Sequence, residues 1–175
     1  MKKELWDQAV SFHGHECPGL AIGVRACEAV MERMGFGPSS DEEIVCVTEN
    51  DACGVDAIQA ILSCTMGKGN LIYRGTGKQA FSFYHRHSGR KLRLYLKAER
   101  DENMESQEWR QYLLNAPLED IFEFSSPKFT LPEKARLFRR VDCEVCGEGA
   151  AEHKMRLQDG KKVCMDCLIV YDRGW

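Results

Sequence analysis

The chain has 175 residues, a formal net charge of −3 at pH 7, and charged side chains at 29% of its positions. This length is enough for one hydrophobic core and a small second domain. Because charges of both signs are mixed, the composition excludes a strongly basic surface, and we expect no nucleic-acid partner. No apolar run approaches the ~18 residues of a membrane helix, so we expect no membrane partner either.

The nine cysteines are the most informative part of this composition. The first residues contain no apolar stretch typical of a secretory signal, which predicts a cytoplasmic protein. In a reducing compartment, thiols serve metal binding or redox chemistry more often than they form structural disulfides. We therefore expect the cysteines to mark the functional sites.

The first cluster in chain order lies in the segment Phe12-His-Gly-His-Glu-Cys-Pro-Gly. It brings His13, His15 and Cys17 into five consecutive positions. Imidazole and thiolate are both ligands for transition metals, and an imidazole can also act as the base beside a thiol nucleophile. The alternative interpretation is that both histidines are partly buried polar residues and that the thiol is inert.

A helix is predicted from Pro18 to Met34, because proline suits the first helical position and Gly35 suits the residue that ends a helix. Cys17 would then be the N-cap residue, with its sulfur facing the free backbone N–H groups of the first turn. The positive end of the helix dipole favours a thiolate there. A thiolate is both a better metal ligand and a better nucleophile than a thiol.

Cys53 is predicted to lie at the start of a second helix, which follows a strand at Glu43 to Glu49. Helix starts that follow the strands of a sheet are common ligand sites. Cys17 and Cys53 could therefore converge with His15 on one ion or one substrate. Asp56, one turn further along, would add an oxygen ligand or orient an imidazole. The alternative for Cys53 is a small buried residue without chemistry.

The remaining elements of the first 125 residues predict an α+β core with a mixed sheet flanked by helices. Three further cysteines in apolar stretches are predicted core residues: Cys27, Cys46 and Cys64. Cys64 is expected on the second helix, about 16 Å from Cys53 and beyond the reach of a disulfide. Further strands are predicted at Leu71 to Arg74, Gln79 to His87 and Lys91 to Lys97, and a helix at Ser106 to Leu114.

Two Cys-x-x-Cys pairs near the end of the chain have the spacing of a closed structural zinc site. The predicted zinc ligands are Cys143, Cys146, Cys164 and Cys167. Four thiolates complete a tetrahedron, so His153 is not expected to bind the ion. The segment between the pairs is predicted to form a hairpin that turns at Asp159-Gly160.

Three regions follow from these patterns. Residues 1–125 are predicted to form the α+β core domain. Residues 126–140 are predicted to be a connector with a short helix from Glu133 to Arg140. Residues 141–175 are predicted to be a small C-terminal zinc-ribbon domain, folded around its ion.

Four motifs occur in order within the first hundred residues. They are Phe12-His-Gly-His-Glu-Cys-Pro-Gly-Leu-Ala-Ile-Gly-Val-Arg25, Asp51-Ala-Cys-Gly-Val-Asp-Ala-Ile-Gln59, Cys64-Thr-Met-Gly-Lys-Gly-Asn-Leu71 and Gly77-Lys-Gln-Ala-Phe81. Together they resemble the FmdE family, which takes its name from one component of formylmethanofuran dehydrogenase. The resemblance implies an α+β core, often dimeric, with a cleft lined by His13, His15, Cys17, Cys53 and Asp56. It also implies a metal or redox role in one-carbon metabolism, and the tail resembles the zinc-ribbon extension of some members.

The resemblance does not make the chain a dehydrogenase. The sequence shows no ligand set for a molybdenum or tungsten pterin and no iron–sulfur cysteine series. That chemistry would belong to partner subunits of a redox enzyme. A homodimer is expected, chiefly from the resemblance.

Three hypotheses of function stay open, and with them whether the chain is an enzyme. The first is an accessory protein of a molybdenum or tungsten one-carbon enzyme system, with a second divalent metal on His15, Cys17 and Cys53. Zinc is favoured for that site, and nickel or iron also suit these ligands. The second is an enzyme with Cys17 as nucleophile and His15 as base. The third is a protein-binding module that uses the zinc ribbon.

Overall fold

The computed structural model describes residues 3–173. The chain divides into two compact units, Met1–Ala135, here called the core unit, and Arg136–Trp175, here called the ribbon unit. Within residues 3–173, no helix is both long enough and apolar enough to cross a lipid bilayer.

The core unit is an α+β domain built on one five-stranded mixed sheet, which confirms the predicted fold class. Its helices are α1 (Lys3–His13), α2 (Pro18–Met34), α3 (Gly54–Leu62), α4 (Ser106–Asn115) and α5 (Leu118–Ile121). Its strands are β1 (Ile44–Thr48), β2 (Leu71–Tyr73), β3 (Ala80–His85), β4 (Lys91–Leu96) and β5 (Phe122–Ser125). The strand order is β2-β1-β3-β4-β5, with β1 and β2 parallel and the other neighbouring pairs antiparallel.

The two faces of this sheet pack against different parts of the chain. Successive side chains of a strand point to opposite faces, and Phe81 and Leu94 are buried in the main core together with residues of the helices. On the opposite face, Val45, Val47 and Tyr84 form a smaller apolar cluster. The alternation predicted for β3 and β4 is therefore confirmed.

Helices α2 and α3 approach each other closely at glycines. A Cβ atom on Gly23 would lie 2.2 Å from the backbone oxygen of Gly54, so no larger residue fits there without a shift of backbone. A Cβ atom on Gly19 would lie 3.1 Å from the Cβ atom of Cys53. This close packing brings the start of α2, with Cys17, next to the start of α3.

Two helix boundaries differ from the sequence predictions. Helix α1, Lys3–His13, was absent from those predictions. Helix α3 ends before Ser63, which adopts a left-handed backbone conformation with φ of 54°. Cys64 therefore lies beyond the helix, buried, with its sulfur 3.7 Å from the backbone oxygen of Ile44. The prediction that Cys64 lies three helical turns from Cys53 is wrong for this reason.

Residues 126–135, here called the strap, cover the sheet face opposite the helices. Phe129 packs against the apolar cluster on that face, and the hydroxyl of Tyr84 donates a hydrogen bond of 2.6 Å to the backbone oxygen of Phe129. The guanidinium carbon of Arg74 lies 3.9 Å from the centroid of the Phe129 ring. The strap is thus held to the sheet by one side chain packed between an apolar cluster and a cation.

The short helix predicted from Glu133 to Arg140 is wrong. Residues 131–139 have no helical or strand structure. Their backbone groups bind side chains of the sheet region instead. Arg86 donates a hydrogen bond of 2.8 Å to the backbone oxygen of Pro132, and the backbone N–H of Ala135 donates one of 3.1 Å to the Glu42 carboxylate.

The ribbon unit consists of two short hairpins. β6 (Arg140–Asp142) pairs with β7 (Gly149–Ala151), and β8 (Arg156–Gln158) pairs with β9 (Lys161–Val163). Asp159 and Gly160 join β8 to β9 with φ values of 50° and 75°. Two successive positive φ values are typical of the tight turn expected there, so the predicted hairpin is confirmed.

Candidate metal centres

The ribbon unit brings four thiols together. Their sulfur atoms lie within 4.8 Å of one another, and they belong to Cys143, Cys146, Cys164 and Cys167. One pair lies between β6 and β7 and the other directly follows β9, so each hairpin supplies two sulfurs. His153 lies outside this group, and its ring stacks on Phe138 with centroids 3.8 Å apart. Four thiols at this spacing fit a structural zinc ion in tetrahedral coordination.

Backbone N–H groups prepare this group for a cation. They lower the pKa of the Cys143 thiol to about 6, with the largest contribution from the N–H of Cys146 and further ones from Cys164 and Val145. The nitrogen of Cys164 lies 3.3 Å from the Cys143 sulfur. Because the thiolate is the form that binds metal, this hydrogen bonding fits the group to zinc.

The core unit contains a second group of potential ligands. His13, Cys17 and Cys53 each offer one atom, and these three atoms lie within 4.8 Å of one another. Nε2 of His13 is 3.8 Å from the Cys17 sulfur. Cys17 is the N-cap residue of α2, as predicted, and its sulfur accepts a hydrogen bond of 3.3 Å from the backbone N–H of Leu20. The sulfur therefore lies at the positive end of the α2 dipole.

Asp56 orients the imidazole of this group. One carboxylate oxygen of Asp56 lies 2.7 Å from Nδ1 of His13, and the other accepts a hydrogen bond of 3.2 Å from the side chain of Gln59. With Nδ1 bonded to the carboxylate, Nε2 is the ring nitrogen that faces Cys17. A carboxylate behind the imidazole in this way is typical of histidine metal ligands, because it sets the tautomer and the ring orientation.

His15 lies outside the group, although the sequence analysis placed it among the ligands. It is exposed, and its ring lies beside that of His13 with centroids 4.4 Å apart. Helix α1 continues as far as His13, and the chain then turns at Gly14, whose φ is 91°. A signal for this arrangement exists in the sequence, where one helical face is formed by positions i, i+3, i+4 and i+7: Trp6, Ala9, Val10 and His13.

Cys53 faces Cys17 but has a different local environment. It directly precedes α3, yet its side chain accepts no capping hydrogen bond from that helix, so the expected equivalence with Cys17 is wrong. Burial raises the pKa of the Cys53 thiol, and the neighbouring Cys17 raises it further. Metal binding at Cys53 would therefore release a proton.

A cavity of about 470 Å³, here called the cleft, opens beside His13 and Cys53. Its walls combine apolar and acidic side chains, among them Val55, Met66, Leu71, Asp51 and Asp56. The end of β1 and the start of α3 both contribute to it. This is the edge of the sheet at which proteins with strand–helix units commonly bind small molecules.

Comparisons with known proteins agree with both parts of this architecture. The family model described as FmdE, molybdenum formylmethanofuran dehydrogenase operon, matches residues 12–123. Since that match covers more than half of the chain, the protein belongs to the FmdE family. The model described as prokaryotic dksA/traR C4-type zinc finger matches residues 136–173, which include all four ribbon cysteines.

Two relatives are similar over nearly the whole chain. One is the crystal structure of an FmdE-like protein of tungsten formylmethanofuran dehydrogenase from Syntrophus aciditrophicus. It is 25% identical with a TM-score of 0.67, and the match covers 94% of this chain and 90% of that one. The other is a curated protein of Archaeoglobus fulgidus named "Probable S-adenosyl-L-methionine-binding protein", 30% identical over 196 residues. That match covers 94% of this chain and 52% of the relative, so the chain spans about half of the relative's length.

Proposed function

We propose that the core unit binds a divalent transition metal through His13, Cys17 and Cys53. The protein would use this metal as an accessory component of a one-carbon redox system. The observation that carries the proposal is the convergence of two thiols and an Asp56-bound imidazole, with three ligand atoms within 4.8 Å. The geometry favours His13 as the imidazole ligand in place of His15.

The donor set fits zinc, and nickel or iron also bind such ligands. In this proposal His13 and the two thiolates hold the ion, and Asp56 keeps the His13 ring in one orientation. Three protein ligands are fewer than zinc requires, so one coordination position is left for water or for a molecule in the cleft. A metal bound there would supply Lewis-acid chemistry to that molecule.

The accessory role has separate support. The chain belongs to the FmdE family, and the similar structure from Syntrophus aciditrophicus is named after a component of a dehydrogenase. We propose that partner subunits of a redox enzyme complete the chemistry and that the chain forms a homodimer. Sedimentation at micromolar concentration tests the dimer, and a clean monomer of 19.9 kDa would contradict it.

Metal content of the purified full chain tests the core site. After incubation with zinc and removal of the excess, we expect two ions per chain by mass spectrometry of the elements. Cys17→Ser should reduce the content to one ion, because the four ribbon thiols remain intact. An unchanged content in Cys17→Ser would exclude the core site. The proximity of Cys17 and Cys53 would then favour a metal-free pair of redox thiols, detectable as a loss of two hydrogens on oxidation.

A second candidate function is binding of S-adenosyl-L-methionine in the cleft, which the name of the Archaeoglobus relative suggests. The observation in its favour is the volume of about 470 Å³, a size common for small-molecule sites, with an apolar wall beside Asp51 and Asp56. These carboxylates could accept hydrogen bonds from ribose hydroxyls. Calorimetric titration tests this candidate, with Asp51→Asn expected to weaken binding and Asp41→Asn as a control outside the cleft. Absence of binding by the unmodified chain at millimolar ligand would exclude it.

A further inference from the structure

A cavity of about 450 Å³ lies between the strap and the hairpin formed by β3 and β4, away from both groups of metal ligands. We call it the strap cavity. Three of its lining side chains are cationic, namely Arg90, Lys91 and Lys128, and His85 adds an imidazole. Among the described residues that line it, none carries a carboxylate. A concave surface with several cations and no acid concentrates positive potential.

Both walls of the strap cavity are held in place by specific contacts. On one side, the hydroxyl of Tyr84 holds the backbone of Phe129 at 2.6 Å, and Arg74 covers the Phe129 ring. On the other side, Nη1 of Arg90 donates a hydrogen bond of 2.9 Å to the backbone oxygen of Met34. The Arg90 guanidinium is therefore positioned before any ligand arrives, and its remaining N–H groups exceed what this one bond uses.

The lysines of the strap cavity carry charge without a counter-charge. Within residues 3–173, neither Lys91 nor Lys128 forms an ion pair with a carboxylate. Both side chains are exposed, so each can turn toward a ligand at the cavity. Two lysines beside a positioned arginine form a typical binding arrangement for phosphate groups.

A neighbouring cavity of about 250 Å³ shows that this surplus is local. It shares Lys128 and adds Lys78 and Arg93, but Glu123 also lines it. Arg93 is already paired with the buried Glu49 at 2.7 Å. The positive charge is thus largely balanced in the neighbouring cavity and unbalanced in the strap cavity.

We propose that the strap cavity binds a small organic molecule that carries two linked phosphate groups. Arg90, Lys91 and Lys128 would bind the phosphates. The cavity is larger than two phosphates require, and Phe129 and Leu131 offer apolar surface to the organic part. The site is independent of the proposed metal function, because none of its lining residues is a candidate metal ligand.

Calorimetric titration of the full chain with inorganic pyrophosphate and with ADP tests the proposal. We expect both probes to bind, ADP more tightly because its nucleoside adds apolar contact. Lys91→Glu and Lys128→Glu should each weaken binding about tenfold or more at low salt, since charge-assisted hydrogen bonds to phosphate are lost and repulsion is added. Lys97→Glu is the matched control, because Lys97 is an exposed lysine outside the cavity, and it should bind as the unmodified chain does.

Amide chemical shifts locate the bound probe. Changes at Gly89 and Thr130, which line opposite walls, support the strap cavity. Changes confined to His13 and Cys53 would place the anion at the candidate metal centre and overturn the proposal. Absence of binding at millimolar probe, or an equal loss of affinity in Lys97→Glu, would also overturn it. Equal affinity for pyrophosphate and ADP would overturn the contact with an organic part.

Discussion

The ribbon and core sites use the same side-chain chemistry in opposite ways. In the ribbon unit, two hairpins supply four thiols, which is the full ligand set of a tetrahedral ion. In the core unit, three helix ends supply two thiols and one imidazole, and the cleft opens beside them. A complete set of ligands suits an ion that stabilises a fold. An incomplete set beside a cavity suits an ion that meets a ligand.

The difference also lies in what holds the ligands. The ribbon sulfurs depend on short local turns, and the unit around them buries few apolar side chains, chiefly Cys143, Val163 and Cys164. The core ligands lie on helices that pack against a sheet with a large apolar core. We therefore expect the ribbon fold to depend on its metal and the core fold to persist without one.

The largest expected effect is loss of the ribbon fold in Cys164→Ser. Structural zinc sites in small domains supply an apparent binding free energy of roughly 10–16 kcal/mol, nearly all of which is folding free energy. Hydrogen exchange should show loss of amide protection from β6 to β9 and unchanged protection in β1, β3 and β4. His153→Ala is the control, because His153 lies outside the sulfur group. Protected ribbon amides in metal-free protein would contradict this expectation.

The next effect separates the two histidines of the first motif. His13→Ala should abolish metal binding at the core site, because it removes one of three ligands. His15→Ala should change the affinity little, since His15 is exposed and lies outside the ligand group. Competition with a chromophoric zinc chelator measures both affinities, with the ribbon ion as an internal reference. A larger loss in His15→Ala would restore the assignment made from the sequence.

A smaller effect is expected from Asp56→Asn. The substitution keeps the size of the side chain but removes the carboxylate 2.7 Å from Nδ1 of His13. Partners of this kind typically contribute 10–100-fold to metal affinity. The same competition assay should show that loss at the core site alone. An affinity equal to that of the unmodified chain would show that Asp56 does not position the ligand.

The smallest effect is a difference in the pH dependence of the two sites. The pKa of Cys53 is raised, so its thiol is protonated near neutral pH, and a metal must displace that proton. Below the pKa, affinity falls about tenfold per pH unit for each proton released. The pKa of Cys143 is lowered to about 6, so less proton competition acts there near neutral pH. As pH falls, metal release followed by the chelator should therefore occur first at the core site. Simultaneous release from both sites would contradict the comparison.

Local sequence determined several parts of this structure. The N-cap role of Cys17 depends on Pro18 and the first turn of α2, and the β8–β9 hairpin depends on Asp159-Gly160. Each Cys-x-x-Cys pair likewise forms its turn from four adjacent residues. These features could be predicted because every interaction that defines them lies within a few positions along the chain.

The tertiary structure alone decided which groups meet in the core. His13, rather than His15, reaches Cys17 because α1 continues to His13 and Asp56 of α3 binds its ring. Cys53 faces Cys17 because two glycines let α2 and α3 pack closely.

The strap shows the same principle on the other face of the sheet. A helical propensity near Glu133 lost to hydrogen bonds between the strap backbone and side chains that are distant in sequence, Arg86 and Glu42. Such contacts join residues more than forty positions apart, and a propensity that reflects only near neighbours is too weak to oppose them. The sequence thus determined the ligands and their local turns, while packing between distant elements decided which of them share a site.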